Sequence, residues 1–359
     1  MKIAIQNPML TTGYGDIGIH NYIIDFIRAN KPHIFLTRKA LYLAWLKFVR
    51  VNKLRRADYR VFFSPQKLNA AADALIFFGG QPTKPDFIMP RAFTGLKIAH
   101  VMDYMFRANE SYAALQNQGV DYVFGYAAHD RHCDFFKKYY PAYIGRVIPV
   151  PFGFHPRFVN TKPFNERAKK IVALGSVSVF GSRLRGADFF DAIQFFLFDR
   201  REPFMHKWRR MLQENEHALA GIMASRLPAF PQESDFRYDL VKEFNEYQLF
   251  TCCESVFYFP AAKTFEGPAA GSVLVCSDHP CFTDLGFIDG VNCIRHKQFD
   301  IADFRDKITA ALADQTRLAA IQKAGTALVT ACFSHRAIAE DLYRNIEKIS
   351  ATYSKQKAS

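Results

Sequence analysis

Three stretches of this chain place ligand-holding or reactive residue types at spacings that chemistry can use. The first is the glycine-rich turn Gly13-Tyr14-Gly15-Asp16-Ile17-Gly18, between an apolar run at 2–7 and helically spaced apolar residues at 19–27. Glycines between a strand and a helix let backbone N–H groups approach a ligand at the positive end of the helix. The letters fit G-x-G-x-x-G, but the next strand, 33–37, closes on Arg38 and not on an acid. The turn therefore reads as a strand–helix connection facing a cleft, not as a dinucleotide site. The second stretch is the end of the strand at 97–102, where His100 and Asp103 stand. A histidine there either packs or positions a ligand. The third is Lys263-Thr264-Phe265-Glu266-Gly267-Pro268-Ala269-Ala270-Gly271, between two apolar strands. Its small residues let a short helix over 264–270 pack closely on the next strand. They also leave its first amides open to a diphosphate, with Glu266 in the first turn, where a carboxylate is favourable.

The elements that must position these groups alternate. Apolar runs at 2–7, 33–37, 74–78, 97–102, 120–126 and 146–150 predict strands, separated by helical stretches. Punctuation at Pro151, Gly153 and Pro156 and a polar run at 160–167 read as a linker. A fresh strand starts at 170–176, followed by strands at 256–260 and 272–276 and helices over 301–312, 316–328 and 337–349. Such alternation predicts an α/β fold with parallel sheets, whose ligands lie beyond the strands' carboxyl ends. A chain of 359 residues exceeds one ordinary core.

The balance of 49% hydrophobic and 23% charged residues is that of a globular protein and excludes a disordered one. A net charge of +13 favours an anionic partner. The charge is concentrated at 38–56, where Arg38, Lys39, Lys47, Arg50, Lys53, Arg55 and Arg56 flank Leu41, Trp45 and Phe48 with no acid before Asp58. That pattern predicts a helix lying in an anionic membrane interface through Trp45; a core helix with a solvated basic edge and a nucleic-acid contact are the alternatives. Seven cysteines without a C-x-x-C pair argue against a zinc ribbon and for reduced thiols. Residues 1–5 lack the length of a secretory signal, and no apolar run is long enough to span a bilayer. A cytoplasmic protein, peripheral at the inner membrane face, is expected.

Three passages resemble GT-B glycosyltransferases, the large retaining group that includes the family 4 enzymes and their spore-maturation-protein-like relatives. Ile148-Pro149-Val150-Pro151-Phe152-Gly153-Phe154-His155 is similar to the interdomain "PxGxD" stretch, with His155 in place of Asp. Ala173-Leu174-Gly175-Ser176 followed by Arg183-Leu184-Arg185-Gly186 resembles the phosphate-binding "GR…KG" start of the second domain. Residues 263–275 resemble the donor motif, and 284–294 the strand that follows it. The resemblance is good over about 170–345 and general before that. It implies two facing Rossmann-like domains: an acceptor domain over 1–158, a nucleotide-sugar domain over 168–333, and a crossing helix and tail over 334–359. It implies a retaining, metal-independent glycosyltransferase with no cofactor beyond its nucleotide-sugar co-substrate. The acceptor would be a glycan or glycolipid, as in cell-envelope polysaccharide or lipopolysaccharide. A DNA-modifying transferase or a non-catalytic glycan- or nucleic-acid-binding relative is the alternative.

The resemblance also distributes roles. Glu266 would accept the ribose hydroxyls, and Arg183 and Arg185 would carry the phosphates. Gly175, Thr264, Gly267 and Ala270 would line the donor site. Tyr258 stands where the paired-glutamate pattern has its first Glu, the usual donor-sugar contact. His100 and Asp103 would position acceptor or donor sugar, and Gly13, Gly15 and Gly18 would border the acceptor cleft.

Overall fold

The computed structural model describes residues 1–10, 22–79, 83–101, 104–175, 177, 190–227, 239–252 and 254–358, the side chains of 354–358 excepted. The chain forms two compact units, Met1–Val150 with His335–Ser359, and Pro151–Ser334.

The first unit is built on seven parallel strands: β1 (Ile3–Gln6), β2 (His33–Phe35), β3 (Val61–Phe62), β4 (Ala74–Phe77), β5 (Leu96–His100), β6 (Tyr122–Gly125) and β7 (Val147–Pro149). Their order across the sheet is β3-β2-β1-β4-β5-β6-β7. Every residue of β1, β4 and β5 is buried, as strands covered by helices on both faces must be. The helix His335–Ala358 belongs to this unit. Its buried Ile338, Ala339, Leu342 and Ile346 repeat at helical spacing and join a cluster with Ile23, Phe26 and Ile27 of the helix Tyr22–Asn30.

In the same cluster Trp45 is 0% exposed, stacked on Phe48 at 5.6 Å and edge-on to Tyr59 at 5.6 Å. This corrects the expectation of a Trp45 membrane contact: the indole fills the core under the helix Leu41–Val51. Leu41, Phe48 and Val49 share its buried face, and burying that face outweighs any interfacial placement. Arg38, Lys39, Lys47, Arg50, Lys53, Arg55 and Arg56 are all exposed.

The second unit holds five parallel strands: β8 (Ala168–Leu174), β9 (Met223–Arg226), β10 (Tyr247–Thr251), β11 (Val273–Ser277) and β12 (Ile294–His296). The order is β12-β11-β10-β8-β9. The chain leaves β8 toward β9 on one side and resumes at β10 on the other, so the order reverses between β8 and β10. Connections splay apart at such a point and open a crevice beyond the strands' carboxyl ends. Residues 256–260, expected as a strand, form a turn that closes on an isolated bridge between Glu254 and Pro260. Tyr258 there takes a left-handed conformation (φ 54°), which no strand accommodates.

The run 160–167 is not a free linker. Arg167, 2% exposed, donates to the carbonyls of Lys162, Phe244 and Ala270 and to the side-chain oxygens of Asn160 and Asn245. The segment is thereby fixed to the second unit's sheet.

Candidate functional site: the crevice between β8 and β10

Two cations converge where the second sheet reverses its order. Arg209 lies in the helix Lys207–Glu214, which Trp208 anchors. The Trp208 indole donates to Thr251 Oγ1 at the end of β10 (3.2 Å) and stacks on His296 at 4.5 Å. The next residue, Arg209, is thereby laid against Gly175, just past β8. A Cβ on Gly175 would stand 2.6 Å from the guanidinium carbon, and its φ of +118° suits glycine alone. The second cation, Lys263, opens the helix Lys263–Ala269 and is buried like Arg209, at 8% and 7% exposure.

Neighbouring groups register both charges. Burial, then Arg209 and Lys263, push the His206 imidazole well below its usual range and keep it neutral. Burial raises the Cys252 thiol, just past β10, while Arg209 and Lys263 oppose that shift and Glu254 adds to it. Thr264 Oγ1 contacts the Cys252 sulfur at 3.5 Å. Glu266, 6% exposed, is pushed up to about 7 by burial, against the pull of Lys263 and Arg157. Two buried cations and a buried carboxyl thus share one end of one sheet. That set can hold a polyanion and accept hydroxyl hydrogen bonds beside it.

The predicted residues divide. Gly175, Thr264 and Glu266 fall at this edge. Gly267 is turned to Phe250 of β10, where a Cβ would meet the ring at 2.3 Å, so its small size serves helix–sheet packing. Ala270, expected to line the donor site, follows the helix's last residue, is fully buried, and gives its carbonyl to Arg167. Tyr258, half-buried, stacks flat on His279 at 4.5 Å. In the first unit His100 ends β5 with its Nδ1 3.2 Å from the Phe78 carbonyl and its ring stacked 4.6 Å from Phe124. Gly13, Gly15, Gly18, Asp103, Arg183 and Arg185 lie outside the described residues.

Sequence reasoning missed Arg209, Lys263 and Glu254. Lys263 sits in the passage that carries the donor-motif resemblance, and Glu254 is the first acid beyond the buried run of β10; those signals were legible. Arg209 sits among other charges on a short amphipathic helix, and nothing local marks it.

Comparison with known proteins agrees with this architecture. Residues 200–344 match the family model described as glycosyl transferase-like. HepE of Anabaena, solved in complex with UDP and glucose, aligns with a TM-score of 0.51 at 12% identity, over 97% of this chain and 100% of that one. The HepE complex with UDP-glucose gives 0.50 at the same identity and coverage. No curated protein matches the chain in sequence. The fold is GT-B. Among the described residues no helix is long and apolar enough to cross a membrane.

Proposed function

We propose that the chain transfers a sugar from a nucleoside-diphosphate donor, with retention and without a metal, to a glycan or glycolipid acceptor. The observation that carries this reading is the pair of buried cations, Arg209 and Lys263, at the crevice between β8 and β10, with the Glu266 carboxyl beside them. As the glycosidic bond breaks, negative charge grows on the β-phosphate. A guanidinium and an ammonium already desolvated there stabilise that charge without reorganising at the moment of reaction, the role a metal ion fills elsewhere. Arg183 and Arg185 join them in this reading. Glu266 accepts the ribose hydroxyls. HepE is solved with UDP and with UDP-glucose, which favours a uridine donor.

The incoming acceptor hydroxyl attacks on the face the phosphate leaves, and a phosphate oxygen takes its proton. Acceptor binding draws on the first unit, where His100 and Asp103 take the positioning role and Gly13, Gly15 and Gly18 border the acceptor. The exposed cations of 38–56 suit an acceptor carried on an anionic membrane. Leu43 and Val51, 76% and 64% exposed, supply the apolar contact that Trp45 does not.

A thermal-shift panel of nucleotide sugars tests the donor reading, because a ligand that binds only the folded state stabilises it by mass action. At least one is expected to raise the melting temperature, with the rise lost in Arg209→Ala and in Glu266→Ala. A full rise in both variants overturns the assignment.

A further inference from the structure

The second unit carries a cavity that the donor reading leaves unused. It measures about 340 Å³ and lies at the amino end of β12, away from the crevice at the strands' carboxyl ends. Three buried side chains form its floor: Ile294, which opens β12, and Leu318 and Ile321 of the helix Gln315–Cys332. One wall is the helix Ile301–Ala313, through Lys307 and Ala310, and another is the turn at Asp289 and Gly290. That turn is braced from within. Asn292 accepts from the Ile288 amide at 2.8 Å and donates to the Gly286 carbonyl at 2.9 Å, and the Gly290 amide donates to the Cys293 carbonyl at 2.9 Å. The helix Gln315–Cys332 packs on it so closely that a Cβ on Gly325 would stand 2.6 Å from the Asn292 carbonyl oxygen. The walls are therefore formed in advance, and the volume falls within the range of small-molecule pockets, roughly 300–1,000 Å³.

Four charged side chains line the cavity, and three are already engaged. Asp289 accepts from the Arg295 amide at 2.7 Å through one oxygen and from Lys307 Nζ at 3.2 Å through the other. Asp314 caps the helix Gln315–Cys332 and accepts from the Arg317 amide at 3.0 Å. The Arg317 guanidinium stands apart, since no group among the described residues pairs with it or accepts from it. It lies over Gly290, where a Cβ would stand 2.8 Å from Nη2. The glycine, at φ 69°, thus gives the cation its place at the rim.

This balance selects the ligand. A cation would meet Lys307 and Arg317, and a dianion would meet Asp289 and Asp314 once its first charge was paired. A single carboxylate or sulfonate matches the one open guanidinium, whose fork takes two oxygens at once. The floor suits an aromatic or branched body, which gains by leaving water. We propose that this cavity binds a small organic monoanion, with its acid group on Arg317 and its apolar body on Ile294, Leu318 and Ile321. The site is separate from the donor crevice and does not depend on the donor reading.

Fluorescence titration with two probes tests it: anilinonaphthalene sulfonate, an aromatic body with one anionic group, and its uncharged parent, phenylnaphthylamine. The protein is expected to bind the sulfonate saturably at one site, about tenfold tighter than the parent, the strength of a hydrogen bond to a charged group. Arg317→Gln removes that preference and keeps the binding of the parent, which also shows the variant is folded. Ala310→Trp, at an exposed position on the wall, fills the mouth and abolishes the binding of both. Arg209→Gln, in the crevice, changes neither. Absence of saturable binding, a preference that survives Arg317→Gln, binding that survives Ala310→Trp, or an equal loss in Arg209→Gln overturns the site. None of these outcomes touches the donor reading, which stands or falls on nucleotide-sugar binding.

Discussion

The helices Leu41–Val51 and Lys207–Glu214 both mix tryptophan with basic residues, and the two units use them in opposite ways. In the first, Trp45 turns to the core and the cations turn to water. In the second, Trp208 packs at the end of β10 and the cation beside it, Arg209, is drawn inward against Gly175. A cation is buried only where something at the site repays its desolvation. In the first helix the flanking surface offers water, and the arginines take it. In the second, a crevice at a reversal of strand order offers a place for an anion. The same residue types therefore mark a solvated edge in one unit and a candidate site in the other.

Substitutions at each helix test this contrast. The largest effect is expected from Trp45→Ala, which empties the first unit's core and costs about 3–5 kcal/mol of stability in urea unfolding. Leu43→Ala on the exposed face should stay within about 0.5 kcal/mol. Equal losses would dissolve the distinction between the two faces.

Glu266 gives the next largest effect, through pH. Its carboxyl is held at about 7 in the folded chain against 4.5 as its ordinary value. Folding therefore favours the protonated acid. The stability this contributes is fully present below about pH 4.5 and is lost as pH rises through 7. Glu266→Gln, neutral throughout, should exceed wild type by about 3 kcal/mol at pH 8 and match it near pH 4.5. A stability difference that does not change with pH would mean that folding leaves the carboxyl titrating as it does in the unfolded chain.

Arg209→Ala should weaken diphosphate binding by about 10- to 100-fold, the range for lost bonds to a charged group. Lys47→Ala and Arg50→Ala should leave it unchanged. The smallest effect belongs to the exposed cations. Lys47→Glu with Arg50→Glu should weaken adsorption to anionic vesicles by about 1 kcal/mol per cation removed, more at low salt. Adsorption unaffected by the reversal would detach this helix from any membrane role.

The elements were the most legible part of the chain. Six of the seven strands of the first sheet and the helices at Ile301–Ala313 and Gln315–Cys332 announce themselves through buried runs and helical spacing, whereas the two-residue β3 at Val61–Phe62 is too short to do so. Of the site, Glu266 was legible because it stands in a distinctive run of small residues. The residues 256–260 were not: Val256, Phe257 and Phe259 are as apolar as a strand, and only the left-handed backbone at Tyr258 turns them aside. Where a carboxylate is missing at 258, the nearest acid in sequence is Glu254, four residues earlier. Its hydrogen-bond partners, Ser277 and Gln298, come from other connections.

The order of residues along the chain sufficed to determine the parallel α/β architecture and the passage carrying Glu266, since both rest on local periodicity and short-range spacing. Which tryptophan helix faces water, which arginine reaches the sheet edge, and which cation stays unpaired at the second unit's cavity were decided only in three dimensions. Those outcomes depend on burial and on partners brought together from distant segments, as when Arg209 comes to lie on Gly175 and Arg317 on Gly290.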